Sequence, residues 1–391
     1  MSLAILGGSP KFKKTITKKS PIEKEEIKAA TEVLKGGILS RAGRGNKVKE
    51  FEKEFASYFK VKHALATTSG TTALHTALAS LDLPKDSEVM VPDLTFISSA
   101  SVILQQGLKP VFIDIEKDTF CINVDDIEKK LTKKTMAIIV VHIYGNPADM
   151  KKIMHLAKKY NLRVIEDCAQ AHGAKFNNKY VGTFGDLGCF SFYQTKNLSC
   201  GEGGMVITNN DSLYKKCVSI SDHGLVDNNL QSYNYDRVGY NYHLTEIQAA
   251  IGIEQLKKLK SNNIFRKNNA KKYIKQFKGF DLIFQKTQNN SSSVFYTLTA
   301  ILPEHIASQR DFFVDAVRME NAELNKIYPV PLHKTKVFSG KQKNQCPAST
   351  DITSRLFNFY TNPGITDQYI NRACEAVKKV LMYLEQNNEK K

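Results

Sequence analysis

With 391 residues, 42% of them hydrophobic and 24% charged, the chain is too long for one small core and has the composition of a soluble globular protein of two domains, or of one large domain with an appendage. No apolar run is long enough to span a bilayer, the opening MSLAILGGSPKFKK lacks a signal-peptide core, and the seven cysteines are scattered without a CxxC pair, so the expectation is a cytoplasmic protein with reduced thiols, no membrane segment and no metal. The net charge of +17 raises nucleic acid as a partner, but 47 of the 56 basic residues are lysines spread along helical segments without RNP aromatics or finger spacing, so no nucleic-acid partner is expected.

A basic, structure-poor start over residues 11–20 leads to PIEKEEIKAATEVLKGG, which reads as a helix with proline at its entry and glycines at its exit. From there to about residue 210, short apolar runs (HALAT, SEVMV, KPVFIDI, MAIIVVHIY, LRVIED, GCFSF, GMVIT) alternate with amphipathic segments such as TTALHTALASL, SSASVILQQG and DMKKIMHLAKKY. Runs that are apolar at every position are strands buried on both faces, so the alternation predicts an α/β fold with a mostly parallel sheet covered by helices. After the helix TEIQAAIGIEQLKKLK the pattern changes to a β-rich run, NNSSSVFYTLTAILP, then RDFFVDAV and a closing helix, TDQYINRACEAVKKVLMYL. This predicts an arm over residues 1–20, a large domain over 21–262 and a smaller C-terminal α+β domain over 263–391, with a frayed EQNNEKK tail.

Ligands of open α/β sheets collect at the carboxyl ends of the strands. Four features fall there. Ser69, Gly70 and Thr71 start the helix after HALAT, where free amides suit a phosphate, although the same triplet also serves as a plain N-cap. Asp167 ends LRVIED; it suits a cationic partner such as a protonated ring nitrogen, or it caps the next turn. Lys196, placed among Phe192, Tyr193 and Leu198, is expected to be desolvated and so kept as the neutral amine that carbonyl chemistry requires. Ser191 offers a hydroxyl to an anion. Phe96 stands in the strand-to-helix turn of VPDLTFISSAS, as a stacking face for a planar ring or as core.

The sequence resembles the DegT/DnrJ/StrS-type sugar aminotransferases, fold-type I pyridoxal phosphate enzymes, along nearly its whole length. The motifs are KVKEFEKEFASYFKVKHALATTSGTTALHTAL, VPDLTFISSASVILQQGLKPVFIDI, VVHIYGNPADM, VIEDCAQAHGA, GDLGCFSFYQTKNLSCGEGGMVITN, GYNYHLTEIQAAIGIEQL and YPVPLHKTKVF, in order. The resemblance implies pyridoxal 5'-phosphate held covalently by Lys196, its ring nitrogen paired with Asp167, its 3-oxygen side near Gln170, Phe96 on its face, and its phosphate on Gly70, Thr71 and Ser191. It also implies that Asn241 reaches the cofactor phosphate of a neighbouring subunit, hence a homodimer with shared active sites. The implied reaction moves an amino group from glutamate to the ketone of a nucleotide-linked keto-deoxysugar, a 4-keto-6-deoxy sugar in the first place. Alternatives are a cyclitol ketone, a sugar deoxygenase (whose lysine is replaced by histidine, unlike Lys196 here) and a non-catalytic regulatory protein. Two places depart from the family pattern: His243 stands where many relatives have arginine, and NAELNKIYP where relatives carry a basic or histidine-bearing turn. Both lie near substrate groups in the family.

Overall fold

The computed structural model describes residues 2–16, 20–40, 45–226, 233–338, 340 and 346–388. Seven strands form its main sheet: β1 His63–Thr67, β2 Glu88–Pro92, β3 Lys109–Ile113, β4 Thr135–Val141, β5 Arg163–Asp167, β6 Leu187–Ser191 and β7 Gly204–Thr208. Their order is β1-β7-β6-β5-β4-β2-β3, and β7 alone runs against its neighbours. The alternation of side chains along each strand sends Leu65, Cys189 and Val206 into one apolar cluster and Ala64, Ala66, Phe190, Met205 and Ile207 into another. Helices cover both sides. Those packed into the first cluster are α3 (Gly70–Ser80), α4 (Ser98–Gln105), α5 (Val124–Lys130), α6 (Met150–Tyr160) and α7 (Asp211–Ser221). The second receives α2 (Lys47–Phe59) and the first half of α8 (Glu246–Gln276). This is the α/β fold expected from the sequence.

The first helix, α1 (Lys24–Gly36), begins three residues past Pro21, because Glu26 accepts the Glu23 amide at 2.9 Å and so fixes the first turn; Gly37 ends it at φ 71°. The run MAIIVVHIY does not stay extended to its end. It leaves the sheet after Val141, and Ile143–Gly145 form a 3-10 turn in which Tyr144 takes φ 58°.

A third apolar cluster gathers the end of α8 with β8 (Ile283–Phe284), β9 (Thr297–Ile301) and β10 (Leu356–Tyr360), an antiparallel sheet, and with α9 (Arg310–Met319) and α11 (Asp367–Asn388). The helix α10 (Pro347–Arg355) instead packs on the main sheet's core through Ala348 and Ile352. Residue 262 falls inside α8, between Leu259 in one cluster and Ala270 in another. We propose that α8 is the shared spine of two folding units. The start of the chain belongs with the second: Leu3 is fully buried there, and the Glu320 carboxylate accepts the amides of Ala4 (3.0 Å) and Lys11 (2.6 Å). The tail stays helical to Asn388, and residues 389–391 lie outside the described ones. All seven cysteines are buried free thiols, and no helix among the described residues is long and apolar enough to cross a membrane.

One buried carboxylate sets the approach to the site. Glu166, fully inaccessible on β5, accepts the amides of Gly182 (2.7 Å), Phe184 (2.7 Å) and Gly185 (2.8 Å) in the loop that enters β6. His142 Nδ1 accepts the Ala148 amide at 3.1 Å, so its Nε2 carries the proton and donates to Glu166 at 3.0 Å. Glu166→Gln would turn an NH₂ group toward backbone N–H donors. It is expected to cost on the order of 3 kcal/mol of stability, read as a lower midpoint in urea unfolding with an unchanged slope.

Candidate active site

At the carboxyl ends of β1, β2, β4, β5 and β6 the structure opens a cavity of about 450 Å³. Its floor starts with α3. Ser69 caps that helix by accepting the Thr72 amide at 3.1 Å, and the Thr72 hydroxyl accepts the Ser69 amide at 2.9 Å. The amides of Gly70 and Thr71, the first two helical positions, have no partner among the described residues and stand at the cavity wall. A Cβ on residue 70 would sit 2.6 Å from the Ser191 Cβ, so glycine is what lets the serine hydroxyl of β6 close over the helix start. The Thr71 hydroxyl meets that of Ser98 at 2.7 Å, which joins the starts of α3 and α4. The free amides at the start of α3 and the hydroxyls of Ser98 and Ser191 thus line the same cavity, a setting that suits an anion.

Asp167 ends β5 with 5% of its surface exposed. One carboxylate oxygen accepts the Ser99 hydroxyl at 2.8 Å and the other accepts the Ala169 amide at 3.0 Å; among the described residues it meets no cationic side chain. Gln170 is fixed at both ends, accepting the Tyr144 amide at 2.6 Å and donating to the Tyr328 hydroxyl at 2.7 Å. Burial pushes the Tyr328 phenol well above its ordinary value, so the hydroxyl stays protonated. Phe96 is 53% exposed, on the cavity wall, with its ring centroid 6.1 Å from that of Tyr328.

Lys196 follows a turn closed by its own amide on the Tyr193 carbonyl at 2.8 Å, and its side chain is half-buried. The surroundings differ from those expected. Phe192 and Leu198 point into the core, Phe192 against Phe51 at 5.1 Å, and Tyr193 is 41% exposed. The turn reverses the chain, and the Lys196 ammonium lies instead 5.0 Å from the ring centroid of Tyr296. Gly70, Thr71, Phe96, Asp167, Gln170, Ser191 and Lys196 all line this one cavity. Asn241 does not: it is exposed, bridged to Asp222 beyond the end of α7. Of the two departures from the family pattern, Asn325, Ile327 and Tyr328 line the cavity, whereas His243 pairs with Asp222 at 3.2 Å. Sequence reasoning missed Ser99, Tyr296 and Tyr328. Ser99 carried a local signal, since it lies one helical turn after Thr95 in the motif that holds Phe96; the two tyrosines come from distant segments.

These residues fit a phosphorylated, cationic-ring aldehyde: unpaired amides, a buried carboxylate with no cationic side chain on it among the described residues, and a primary amine, all on the wall of one cavity. A mostly parallel, helix-covered sheet with this set at its strand ends defines a fold-type I transferase. The chain belongs to the DegT/DnrJ/EryC1/StrS aminotransferase family, whose profile matches residues 20–378, and is an aminotransferase. It is 37% identical to a GDP-perosamine synthase of Escherichia coli O157:H7 over 340 residues, 86% of this chain and 91% of that one. It is 35% identical to a UDP-N-acetyl-3-dehydro-alpha-D-glucosamine 3-aminotransferase of Acidithiobacillus ferrooxidans over 376 residues, 94% of this chain and 100% of that one. Among solved structures, an aminotransferase from Psychrobacter cryohalolentis superposes with a TM-score of 0.88 at 30% identity, covering 95% of this chain and 100% of that one.

Close to Lys196 lies a fully buried imidazole, His172, which burial, aided by the Lys196 ammonium, pushes down to about 3. An unfolded histidine takes up a proton near pH ~6.5, so the unfolded state binds more protons between there and about pH 3, and stability falls as the pH falls through that window. Wild type is therefore expected to lose more melting temperature between pH ~7 and pH ~4 than His172→Gln; equal losses in paired thermal melts would contradict a buried neutral histidine.

Proposed function

We propose that the chain is a pyridoxal 5'-phosphate-dependent aminotransferase that takes an amino group from glutamate and gives it to the ketone of a nucleotide-linked keto-deoxysugar, a 4-keto-6-deoxy sugar in the first place. The observation that carries the chemistry is the convergence of Lys196, Asp167, Gln170 and the Gly70–Thr71 amides on one cavity. The sugar half rests on relatives named for nucleotide-sugar amination.

When bound, the cofactor supplies an aldehyde that carries the amino group and a ring that draws electrons from the bond broken beside it. Each residue then has a definite task. The Gly70 and Thr71 amides and the Ser191 hydroxyl would hold the phosphate. Asp167 would keep a proton on the ring nitrogen, Phe96 would stack on the ring face, and Gln170 would hold the side of the 3-oxygen. Lys196 Nζ would tether the cofactor covalently and, once displaced by the donor amine, move the proton at the substrate carbon. The Ser99 hydroxyl orients the Asp167 carboxylate, and Ile327 and Tyr328, half-buried on the cavity wall, would bound the space left for the substrate.

The test is an assay of keto-sugar nucleotides with glutamate, with mass spectrometry of the product. An amino sugar nucleotide is expected from wild type and none from Lys196→Ala. Product from a cyclitol ketone alone would overturn the sugar reading, and no product from any ketone, in a protein that binds the cofactor, would favour the regulatory one.

We also propose a homodimer in which Asn241 reaches the neighbour's phosphate recess. That it is exposed and does not line its own cavity supports this, as do Tyr233 (76% exposed), Tyr235 (48%) and Val238 (80%), side chains leading up to it. Inactive Lys196→Ala chains mixed with inactive Asn241→Asp chains should then recover up to about a quarter of wild-type activity, because half the dimers are mixed and each has one intact site. No recovery after proven subunit exchange would mean that each chain completes its own site.

A further inference from the structure

The Tyr296 ring lies under the Lys196 ammonium, and little in its setting is free to move. Its amide donates to the Tyr144 carbonyl at 3.0 Å, and its carbonyl accepts from Arg266 at 3.1 Å. Arg266 is itself buried, on α8, with burial pushing its guanidinium down to about 10. The residue before it, Phe295, takes φ 46°, a left-handed turn that only a well-determined loop sustains. The phenol oxygen is held as well, 2.8 Å from the hydroxyl of Thr195, the residue that precedes the lysine. The ring is thus clamped at both ends, with its face toward Lys196 Nζ at 5.0 Å from the centroid.

We propose that Tyr296 is a positioning residue for Lys196: its clamped ring face holds the amine at the cavity wall, and the Thr195 hydroxyl locks the ring in that orientation. A lysine has four rotatable bonds, and the cavity beside it is open, so an unrestrained amine would spend most of its time away from the point at which a carbonyl carbon arrives. An N–H of the amine can point at the ring face whether or not the nitrogen carries its extra proton, and such a contact favours one lysine conformer several-fold. The same contact ties the site to the C-terminal unit, because Tyr296 leads directly into β9. This inference rests on Lys196 being the cofactor-bearing lysine.

The test measures capture and not turnover. Cofactor-free protein is mixed with pyridoxal phosphate; the Lys196 amine, having lost its proton, bonds to the aldehyde carbon with loss of water, and borohydride delivers hydride to the resulting C=N bond to give a stable secondary amine. The labelled Lys196 peptide is quantified against time, with surface lysines as internal controls. Tyr296→Leu, which lacks the ring, is expected to slow capture at Lys196 about fivefold, the size of one N–H contact to a ring face. Tyr296→Phe and Thr195→Val, which keep the ring and lose the lock, are expected to slow it about two- to threefold, with surface lysines unchanged in all three. Label at Lys196 with wild-type rates in Tyr296→Leu overturns the proposal, and so does a phenylalanine variant as slow as the leucine one. Should the leucine chain fail to fold, wild-type rates in both Tyr296→Phe and Thr195→Val overturn it. Absence of label from Lys196 in the wild type overturns the assignment of the lysine itself, a separate failure.

Discussion

Four hydrogen bonds converge on the Glu166 carboxylate, and the site depends on them because of where the strands end. Glu166 and Asp167 are adjacent on β5, so they face opposite sides of the sheet. Glu166 is saturated by three backbone amides and an imidazole, and it fixes the loop over 182–185 that feeds β6. β6 in turn delivers Ser191 and, after one turn, Lys196. Asp167, on the other side, retains capacity for a cation. A buried charge that is fully hydrogen-bonded fixes geometry without reactivity, while its neighbour, with only two donors, is available for chemistry.

Close approach is the second constraint. Gly70 admits Ser191 because a Cβ would collide with it, and Gly145, at φ 90°, lies where a Cβ would be 2.8 Å from the Tyr296 amide. Around the same cavity Tyr144 and Tyr328 take φ 58° and 62°, conformations unfavourable for bulky side chains. These strained positions share a hydrogen-bonded partner, Gln170, which accepts the Tyr144 amide and donates to the Tyr328 hydroxyl. Burial and hydrogen bonding over-determine the backbone there, which keeps the walls of the cavity set before a ligand arrives.

The cavity is also a joint between two apolar cores. Its floor comes from the main sheet; Tyr296 leads into the C-terminal sheet and Asn325 bridges to Asn358 on it, while Ile327 and Tyr328 pack back on the main core. Along α8, which packs into both cores, Asn263 donates to the His172 carbonyl at 2.8 Å and Arg266 to that of Tyr296 at 3.1 Å. A displacement of one core relative to the other would therefore be felt at the lysine.

The sequence by itself determined the strand-and-helix alternation and hence the sheet, because apolar periodicity is local. Six of the seven residues from Gly70 to Lys196 that gather at the cavity were legible for a related reason, because each ends or follows a strand and a mostly parallel sheet brings such positions to one edge, whereas Gln170 was legible only through the resemblance to the family. Helix ends were legible less well: Glu23 and not Pro21 starts α1, since competing caps a few residues apart are chosen by side-chain bonds. Only the tertiary structure decided what surrounds the lysine. Phe192 and Leu198 are its neighbours in sequence but belong to the core, whereas Tyr296 lies one hundred residues away, and Tyr328 and the Glu166 anchor likewise depend on loops whose course no local pattern encodes. Side-chain direction after a strand is set by the turn that follows and by what packs against it, and those are properties of the folded chain.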